Sequence, residues 1–212
     1  MREAQDHEMP NVLMLPPFYF KGVSDEGLFQ AWSEVLRRSG QGPLHIHVYD
    51  FPAFVGFPLS AELQARLHRE FPDRIVGMKD SSGNFEKMVE VIDAAPGFRV
   101  FAGTEALLLD ILKAGGAGCI SATVNVTAPA AAAVWRCWQA GDIAGAEKAQ
   151  AQLTDLRIAL QAFGMVPGMK ALLNRAFPDR IGPTIRPPLL ALPTAERDKL
   201  FAAMDAAGLN LD

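Results

Sequence analysis

The chain has 212 residues, of which 50% are hydrophobic and 21% are charged, and it carries a formal net charge of -4 at pH 7. This hydrophobic content is ample for the core of one large domain or two small ones. The charges have both signs and are scattered, which argues against a nucleic-acid partner and against a polybasic membrane-binding surface. There is no apolar run of about 18 residues and no secretory signal pattern at the N-terminus, so a cytoplasmic location is expected.

Strand-like and helix-like patterns alternate over residues 1–140. Ser24 is predicted to cap a helix that runs from about Asp25 to Arg38, with acidic residues in its first turn. Five short apolar runs, each followed by a helical pattern, are predicted as strands: 11–15, 44–49, 75–79, 98–101 and 119–124. Their spacing of about 25 to 30 residues is typical of parallel strands joined by helices, either in an open doubly wound sheet or in a closed barrel. The last of these helices is predicted to begin at Thr127.

The strand patterns stop after Gly141. The remaining sequence predicts three helices, 142–162, 167–176 and 194–207, with proline-containing connections between them. The chain is therefore predicted to consist of a βα region, residues 1–140, and a helical extension, residues 141–212.

No metal or cofactor is predicted from the cysteines and histidines. Cys119 and Cys137 have neither metal-ligand spacing nor the pattern of a disulfide framework, and are interpreted as small buried hydrophobes. His45 and His47 lie on the same strand face as Tyr49, but a metal site needs further ligands at suitable spacing. Neutral, hydrogen-bonded histidines are therefore favoured over a metal centre.

Lys79 lies at the end of the apolar segment Ile75 to Met78, which has the pattern of a buried strand in a parallel sheet. Lysine is rarely buried without a partner or a function. Removing water from an ammonium group favours the neutral amine, which can form a Schiff base with a carbonyl compound. The alternative is a lysine whose stem covers apolar surface while its charge stays in water, and for a lone lysine that is the more frequent case.

Tyr49 strengthens the interpretation of Lys79 as a nucleophile. It ends the preceding strand, and neighbouring parallel strands bring their end residues to the same edge of a sheet. A phenol at hydrogen-bond distance can transfer protons during bond making or breaking. Taken alone, Tyr49 is more simply an amphipathic strand-end residue with a buried ring. Asp80, which follows Lys79, is expected to face away from it and to be solvated or to cap a helix.

Five segments together resemble the dihydrodipicolinate synthase and N-acetylneuraminate lyase family of class I, Schiff-base aldolases. These segments are Leu15–Lys21, Tyr49–Leu59, Val76–Gly83, Ala102–Glu105 and Gly115–Ser121. The resemblance extends from about Asn11 to Leu192. It implies a TIM barrel, (βα)₈, of which this chain holds about five βα units, equivalent to strands 4–8, followed by a C-terminal helical extension. The resemblance also implies that the segment equivalent to the family's N-terminal third, with its carboxylate-binding loop, is not part of this sequence, as expected for a truncated family member.

The resemblance also implies roles for individual residues. Lys79 would form the Schiff base with a pyruvate-type 2-oxo acid, and Tyr49 would transfer protons. The strand-end segments containing Gly103 and Ile120 would line the substrate, while Tyr19 would match a tyrosine exchanged across a dimer interface. A small 2-oxo acid is therefore the expected partner, in a homo-oligomer that is a dimer or a tetramer, with no cofactor.

Phe54 separates the alternative activities that the resemblance implies. It occupies the position where the lysine-biosynthesis synthases carry an arginine for the second substrate's carboxylate. Phe54 therefore argues against 4-hydroxy-tetrahydrodipicolinate synthase activity and favours an aldolase or lyase that acts on sugar-acid-like compounds. In such an enzyme, Phe54 would have a substrate-binding role. A third alternative is a catalytically inactive, truncated family member with a structural or oligomer-forming role.

Overall fold

A computed structural model describes residues 1–40 and 42–211. Two compact units are present in the chain. The first comprises the described residues of 1–103 together with 110–119, and the second comprises 104–109 together with the described residues from Ile120 onward. The predicted division at residue 140 into a βα region and a helical extension stays a prediction.

The first unit contains a sheet of five parallel strands in the consecutive order β1-β2-β3-β4-β5. Its strands are β1 (Asn11–Met14), β2 (His45–Asp50), β3 (Ile75–Asp80), β4 (Arg99–Ala102) and β5 (Gly118–Cys119). The helices up to β5 in chain order are α1 (Arg2–Asp6), α2 (Asp25–Arg38), α3 (Pro52–Val55), α4 (Ala61–Glu70), α5 (Phe85–Ala94) and α6 (Leu108–Lys113), the last preceded by a 3₁₀ turn, Glu105–Leu107. An open doubly wound sheet reverses its strand order at a switch point, whereas these strands follow one another as barrel strands do.

The central strands β2 and β3 are buried, as their apolar sequences predict. Ile46, Val48, Ile75 and Met78 have no solvent exposure, so both faces of this part of the sheet are covered. The helix after β1 begins where predicted, because the side chain of Ser24 accepts a hydrogen bond from the third residue of its turn.

Gly77 provides the close approach that β3 needs in the middle of the sheet. A Cβ atom at this position would lie 2.6 Å from Nδ1 of His47 and closer still to the carbonyl oxygen of Arg99. Both distances are below van der Waals contact, and the second involves backbone of the neighbouring strand. Glycine is therefore required two residues before Lys79.

We expect the Gly77→Ala variant to unfold at a lower temperature than the wild type, with a loss of about 1–3 kcal/mol in the free energy of unfolding. Thermal denaturation followed by circular dichroism measures this loss. Gly182→Ala is the matched control, because a Cβ atom at Gly182 meets no atom within 4 Å. Equal unfolding temperatures for the two variants would contradict the packing argument.

The second unit is helical. Its helices are α7 (Val124–Gln139), α8 (Ile143–Gln161), α9 (Met165–Ala176) and α10 (Thr194–Ala206). They surround a common core of buried apolar side chains: Val126, Leu156, Leu160, Met169, Leu172, Leu200 and Met204. The three helices predicted from residue 142 onward are confirmed to within two residues at each end.

The predicted fifth strand is wrong over most of its length. Residues 119–124 were expected to be extended, but β5 ends at Cys119 and α7 begins at Val124, three residues before the predicted start at Thr127. The hydroxyl groups of Ser121 and Thr123 donate hydrogen bonds to the buried Glu105 carboxylate instead. These side-chain bonds turn the segment into a helix start, which an apolar and β-branched sequence pattern does not reveal.

Among the described residues, no single helix is long and apolar enough to cross a membrane. The pair α8 and α9 meets the criterion of length and composition only when both are taken together, and they are bent by 108° at their junction.

Candidate functional site

Lys79 and Tyr49 lie side by side at the C-terminal ends of β3 and β2. They are direct partners in the register of these two parallel strands. The ammonium group of Lys79 donates a hydrogen bond to the Tyr49 hydroxyl at 3.1 Å, and its Nζ lies 4.3 Å from the centre of the tyrosine ring. Both side chains are partly buried. The structure therefore brings together the amine and the phenol that the sequence singled out.

Asp80 is buried, so the prediction that it is solvated or caps a helix is wrong. Its side chain has no solvent exposure, and its Oδ1 accepts hydrogen bonds from the backbone amide of Ser82 at 2.7 Å and from the Ser82 hydroxyl at 2.5 Å. Its Oδ2 lies 3.7 Å from Nζ of Lys87. The prediction that Asp80 faces away from Lys79 agrees with strand alternation, which also directs Asp50 away from Tyr49.

A buried ion cluster, formed by Asp50, Asp80 and Lys87, lies behind the two strand ends. Lys87 donates to Oδ2 of Asp50, and its side chain is only 13% exposed, while the Asp50 side chain is fully buried. Burial raises the pKa of the Asp50 carboxyl above its ordinary value, whereas the hydrogen bond and positive charge of Lys87 act in the opposite direction. The backbone amide of Leu59 also donates to Asp50, at 3.3 Å.

The ion cluster fixes the positions of the two strand ends. Asp50 directly follows Tyr49, Asp80 directly follows Lys79, and Lys87 in α5 holds both acids. Sequence reasoning did not find this cluster. The available signal was an acid immediately after each strand-end residue and a lysine in the first turn of the next helix.

His47 lies deeper in the sheet and is neutral in character, as predicted. Burial, followed by the nearby positive charge of Arg99, lowers the pKa of His47 below its ordinary value. Its Nε2 lies 3.2 Å from Oδ1 of Asn11. Within residues 1–40 and 42–211, no group of three or more His, Cys, Asp or Glu side chains converges as a metal site would require.

The other predicted site residues of the first unit lie in different surroundings. Phe54 is in the short helix α3 and is 53% exposed, while Tyr19 is 84% exposed in the loop after β1. Gly103 follows β4, and its backbone amide donates to the carbonyl oxygen of Asp80 at 2.5 Å. A Cβ atom on Gly103 would collide with Asp80 and Ser81, so this glycine permits the close contact between the C-terminal ends of β3 and β4.

The second unit contains Ile120, which is partly buried directly after β5. It also contains a buried carboxylate, Glu105. The sequence analysis placed Glu105 in a strand-end segment and predicted no interaction for it. Arg157 donates to Glu105 at 2.8 Å, and the Ser121 hydroxyl donates at 2.5 Å. These hydrogen bonds give Glu105 a structural role within the second unit.

Comparison with known proteins places these observations in one family. The sequence model of the dihydrodipicolinate synthetase family matches residues 2–207. A DapA-like lyase of Chloroflexus aurantiacus is 31% identical over 205 residues, which are 96% of this chain and 67% of that protein. The dihydrodipicolinate synthase of Agrobacterium tumefaciens is 31% identical, with a TM-score of 0.79 over 98% of this chain and 69% of that one.

A third comparison supports the fold alone. A prophage protein of Escherichia coli K12 from the dihydrodipicolinic acid synthase family, solved in complex with pyruvate, has a TM-score of 0.88 at 24% identity, over 99% of this chain and 70% of that one. The five consecutive parallel strands are therefore part of a (βα)₈ barrel fold, followed by C-terminal helices, as predicted. The chain belongs to the dihydrodipicolinate synthetase family of lyases and aldolases.

Proposed function

We propose that this protein is a Schiff-base aldolase or lyase that acts on a 2-oxo acid. Lys79 is the nucleophile, and Tyr49 transfers protons. The observation that carries this proposal is the hydrogen bond of 3.1 Å between the amine and the phenol at the ends of two adjacent strands. A nucleophile and its proton-transfer partner must lie within such a distance to act together.

The reaction begins with attack of the neutral Lys79 amine on the keto carbon of a pyruvate-type donor. Loss of one water molecule gives an imine, and loss of a proton from the adjacent carbon gives an enamine. The enamine carbon then forms a bond to an aldehyde carbon, and the aldehyde oxygen takes a proton from Tyr49. Water finally hydrolyses the imine, which releases the product and restores the amine. The reverse sequence cleaves the same carbon–carbon bond.

The ion cluster supports this assignment because it holds the strand ends that carry Lys79 and Tyr49. Because Asp50 and Asp80 are the residues directly after Tyr49 and Lys79, their shared contact with Lys87 holds both strand ends in one register. Catalytic groups must be held by their surroundings in the productive geometry, since small displacements lower the rate strongly. Lys87 thus acts as a positioning residue.

Borohydride trapping tests the proposed function. Incubation of the chain with pyruvate and sodium borohydride reduces the imine to a stable secondary amine. We expect intact-protein mass spectrometry to show one added reduced pyruvate, and peptide mapping to place it on Lys79. A folded chain that gives no adduct would refute Schiff-base chemistry and favour the alternative of an inactive family member.

We expect the Tyr49→Phe variant to keep the trapped adduct but to form carbon–carbon bonds from pyruvate and an aldehyde at least about 100-fold more slowly. The variant keeps the ring next to Lys79 and removes only the hydroxyl that receives its hydrogen bond. The trapped adduct is the internal control, because its formation on Lys79 shows that the variant is folded and keeps its nucleophile. An unchanged rate in Tyr49→Phe would assign proton transfer to another group.

The second candidate activity is that of 4-hydroxy-tetrahydrodipicolinate synthase, the name of a relative from Gluconacetobacter diazotrophicus that is 31% identical over 98% of this chain. Turnover of pyruvate with aspartate semialdehyde tests it directly. Phe54 offers no charge for a carboxylate, so we expect this turnover to be slow. The sugar-acid substrate, the substrate-binding roles of Gly103 and Ile120, and the interface role of Tyr19 with a dimer or tetramer stay predictions.

A further inference from the structure

Four aromatic rings form a continuous row in the first unit, beginning at the proposed proton-transfer residue. Tyr49 stacks on Phe51, with ring centres 5.6 Å apart and planes inclined by 17°. Phe51 stacks on Phe54 at 5.9 Å and 22°, and Phe54 contacts Phe18 at 5.2 Å. We call these four residues the aromatic row. It leads from the hydroxyl that binds Lys79 to the protein surface.

The outer end of the aromatic row is exposed to solvent. Phe54 is 53% exposed and Phe18 is 47% exposed. An exposed cluster of aromatic rings is a suitable surface for an apolar group of a ligand, because covering it removes apolar area from water. Since the aromatic row begins at Tyr49, a substrate whose reacting carbon lies next to Lys79 and Tyr49 could place the rest of its structure along the row.

Lys21 holds the outer end of the row in place. Its ammonium group donates to the carbonyl oxygen of Phe18 at 2.7 Å and to that of Val55 at 2.6 Å. These bonds tie the loop after β1 to α3, so the rings of Phe18 and Phe54 are presented together. A surface that is ordered before binding loses less conformational entropy when a ligand arrives.

The same bonds decide which ligand chemistry fits. Within residues 16–21 and 52–55, Lys21 carries the only cation, and that cation is already bound to two carbonyl oxygens. The other side chain there with a hydrogen-bonding group is Tyr19. A polyol or a carboxylate would lose its hydration with little replacement, whereas an aromatic ring would gain stacking contacts.

We infer that the aromatic row binds an aromatic group of the substrate, so that the aldehyde joined to, or released from, the 2-oxo acid is an aryl aldehyde. This inference rests on the proposed Schiff-base function, and it replaces the sugar-acid-like substrate that the resemblance implies with an aryl one. In the joining direction, the enamine carbon on Lys79 bonds to the aryl aldehyde carbon, and the aldehyde oxygen takes the Tyr49 proton. Hydrolysis of the imine then releases a 4-hydroxy-4-aryl-2-oxobutanoate.

Two aldehydes test this inference with pyruvate as the common donor. We expect kcat/KM for benzaldehyde to exceed that for glyceraldehyde by about tenfold, as the contacts of one additional aromatic pair provide. The Phe54→Ala variant should raise the KM for benzaldehyde by about five- to tenfold and raise the KM for glyceraldehyde by a clearly smaller factor. Phe54→Leu, which keeps an apolar side chain, should have an intermediate effect.

Phe177→Ala is the matched control, because Phe177 is also a partly exposed phenylalanine, at 37%, and lies in the second unit. Pyruvate trapping on Lys79 reports separately on the proposed function in every variant. Normal trapping without a preference for benzaldehyde overturns the aryl inference and leaves the Schiff-base function standing, whereas absent trapping removes both. A change in oligomer mass in Phe54→Ala with an unchanged KM would identify the row as an interface between copies and overturn the inference.

Discussion

We expect the Lys79→Arg variant to give no borohydride-trapped pyruvate, whereas the wild-type chain gives one adduct. Arginine keeps a positive charge next to the Tyr49 ring, so the cation–π contact at the strand end is preserved in kind. Its guanidinium group stays protonated at any accessible pH and does not attack a keto carbon. The variant therefore separates the loss of the nucleophile from the loss of the fold. Intact-protein mass spectrometry after reduction measures the result.

Lys148→Arg is the control for this experiment. Lys148 is an exposed residue of α8, and its replacement should leave the adduct at the wild-type level. Circular dichroism of Lys79→Arg should match that of the wild type, which establishes that the variant is folded. An adduct that persists in Lys79→Arg would show that another amine forms the Schiff base, and peptide mapping would identify it.

Sequence reasoning found Lys79 and Tyr49 because each ends an apolar strand, and strand ends of a parallel sheet share one edge. The structure confirms their proximity through the register of β2 and β3. It also decides between the two sheet arrangements left open by strand spacing, since the consecutive order of five strands is that of a barrel. Spacing along the chain carries no information on strand order, which is why the sequence alone left both possible.

The ion cluster could not be predicted in the same way. Lys87 and Asp50 are 37 residues apart, and they meet only because α5 packs against the sheet. Sequence patterns report which face of an element is apolar, but they do not report which charged side chains face each other across two elements. The incorrect fifth strand has a related cause, because the hydroxyls of Ser121 and Thr123 bind a carboxylate from a separate segment.

The ion cluster gives the second prediction with a large effect. We expect the Lys87→Met variant to lose about 3–5 kcal/mol in the free energy of unfolding at pH 8, because two buried carboxylates lose their positive partner. Asp50 and Asp80 have no solvent exposure, so water does not replace the lost charge. Chemical denaturation with urea measures the loss. Without Lys87, the ends of β2 and β3 are also held less firmly in position, so pyruvate trapping on Lys79 should be slower than in the wild type.

The size of this loss should depend on pH. Burial raises the pKa of Asp50 in the folded chain, and removal of Lys87 removes the main interaction that lowers it, so the folded pKa rises further. A group whose pKa is higher in the folded state contributes stability below its unfolded pKa, about 3.9 for aspartate, and that contribution is lost as the pH rises through the folded pKa. The difference in stability between wild type and Lys87→Met should therefore be smaller at pH 4 than at pH 8.

Two further variants distinguish the buried ion cluster from an ordinary lysine contact. Lys199→Met removes a surface pair with Glu196 whose side chains are 66% and 46% exposed, and it should change the free energy of unfolding by less than about 1 kcal/mol at either pH. The double variant Asp50→Asn, Lys87→Met removes one carboxylate together with its partner. It should recover part of the stability lost in Lys87→Met and weaken its dependence on pH, because Asp50 no longer titrates. A double variant with the same pH dependence as Lys87→Met would show that Asp50 is not the group responsible.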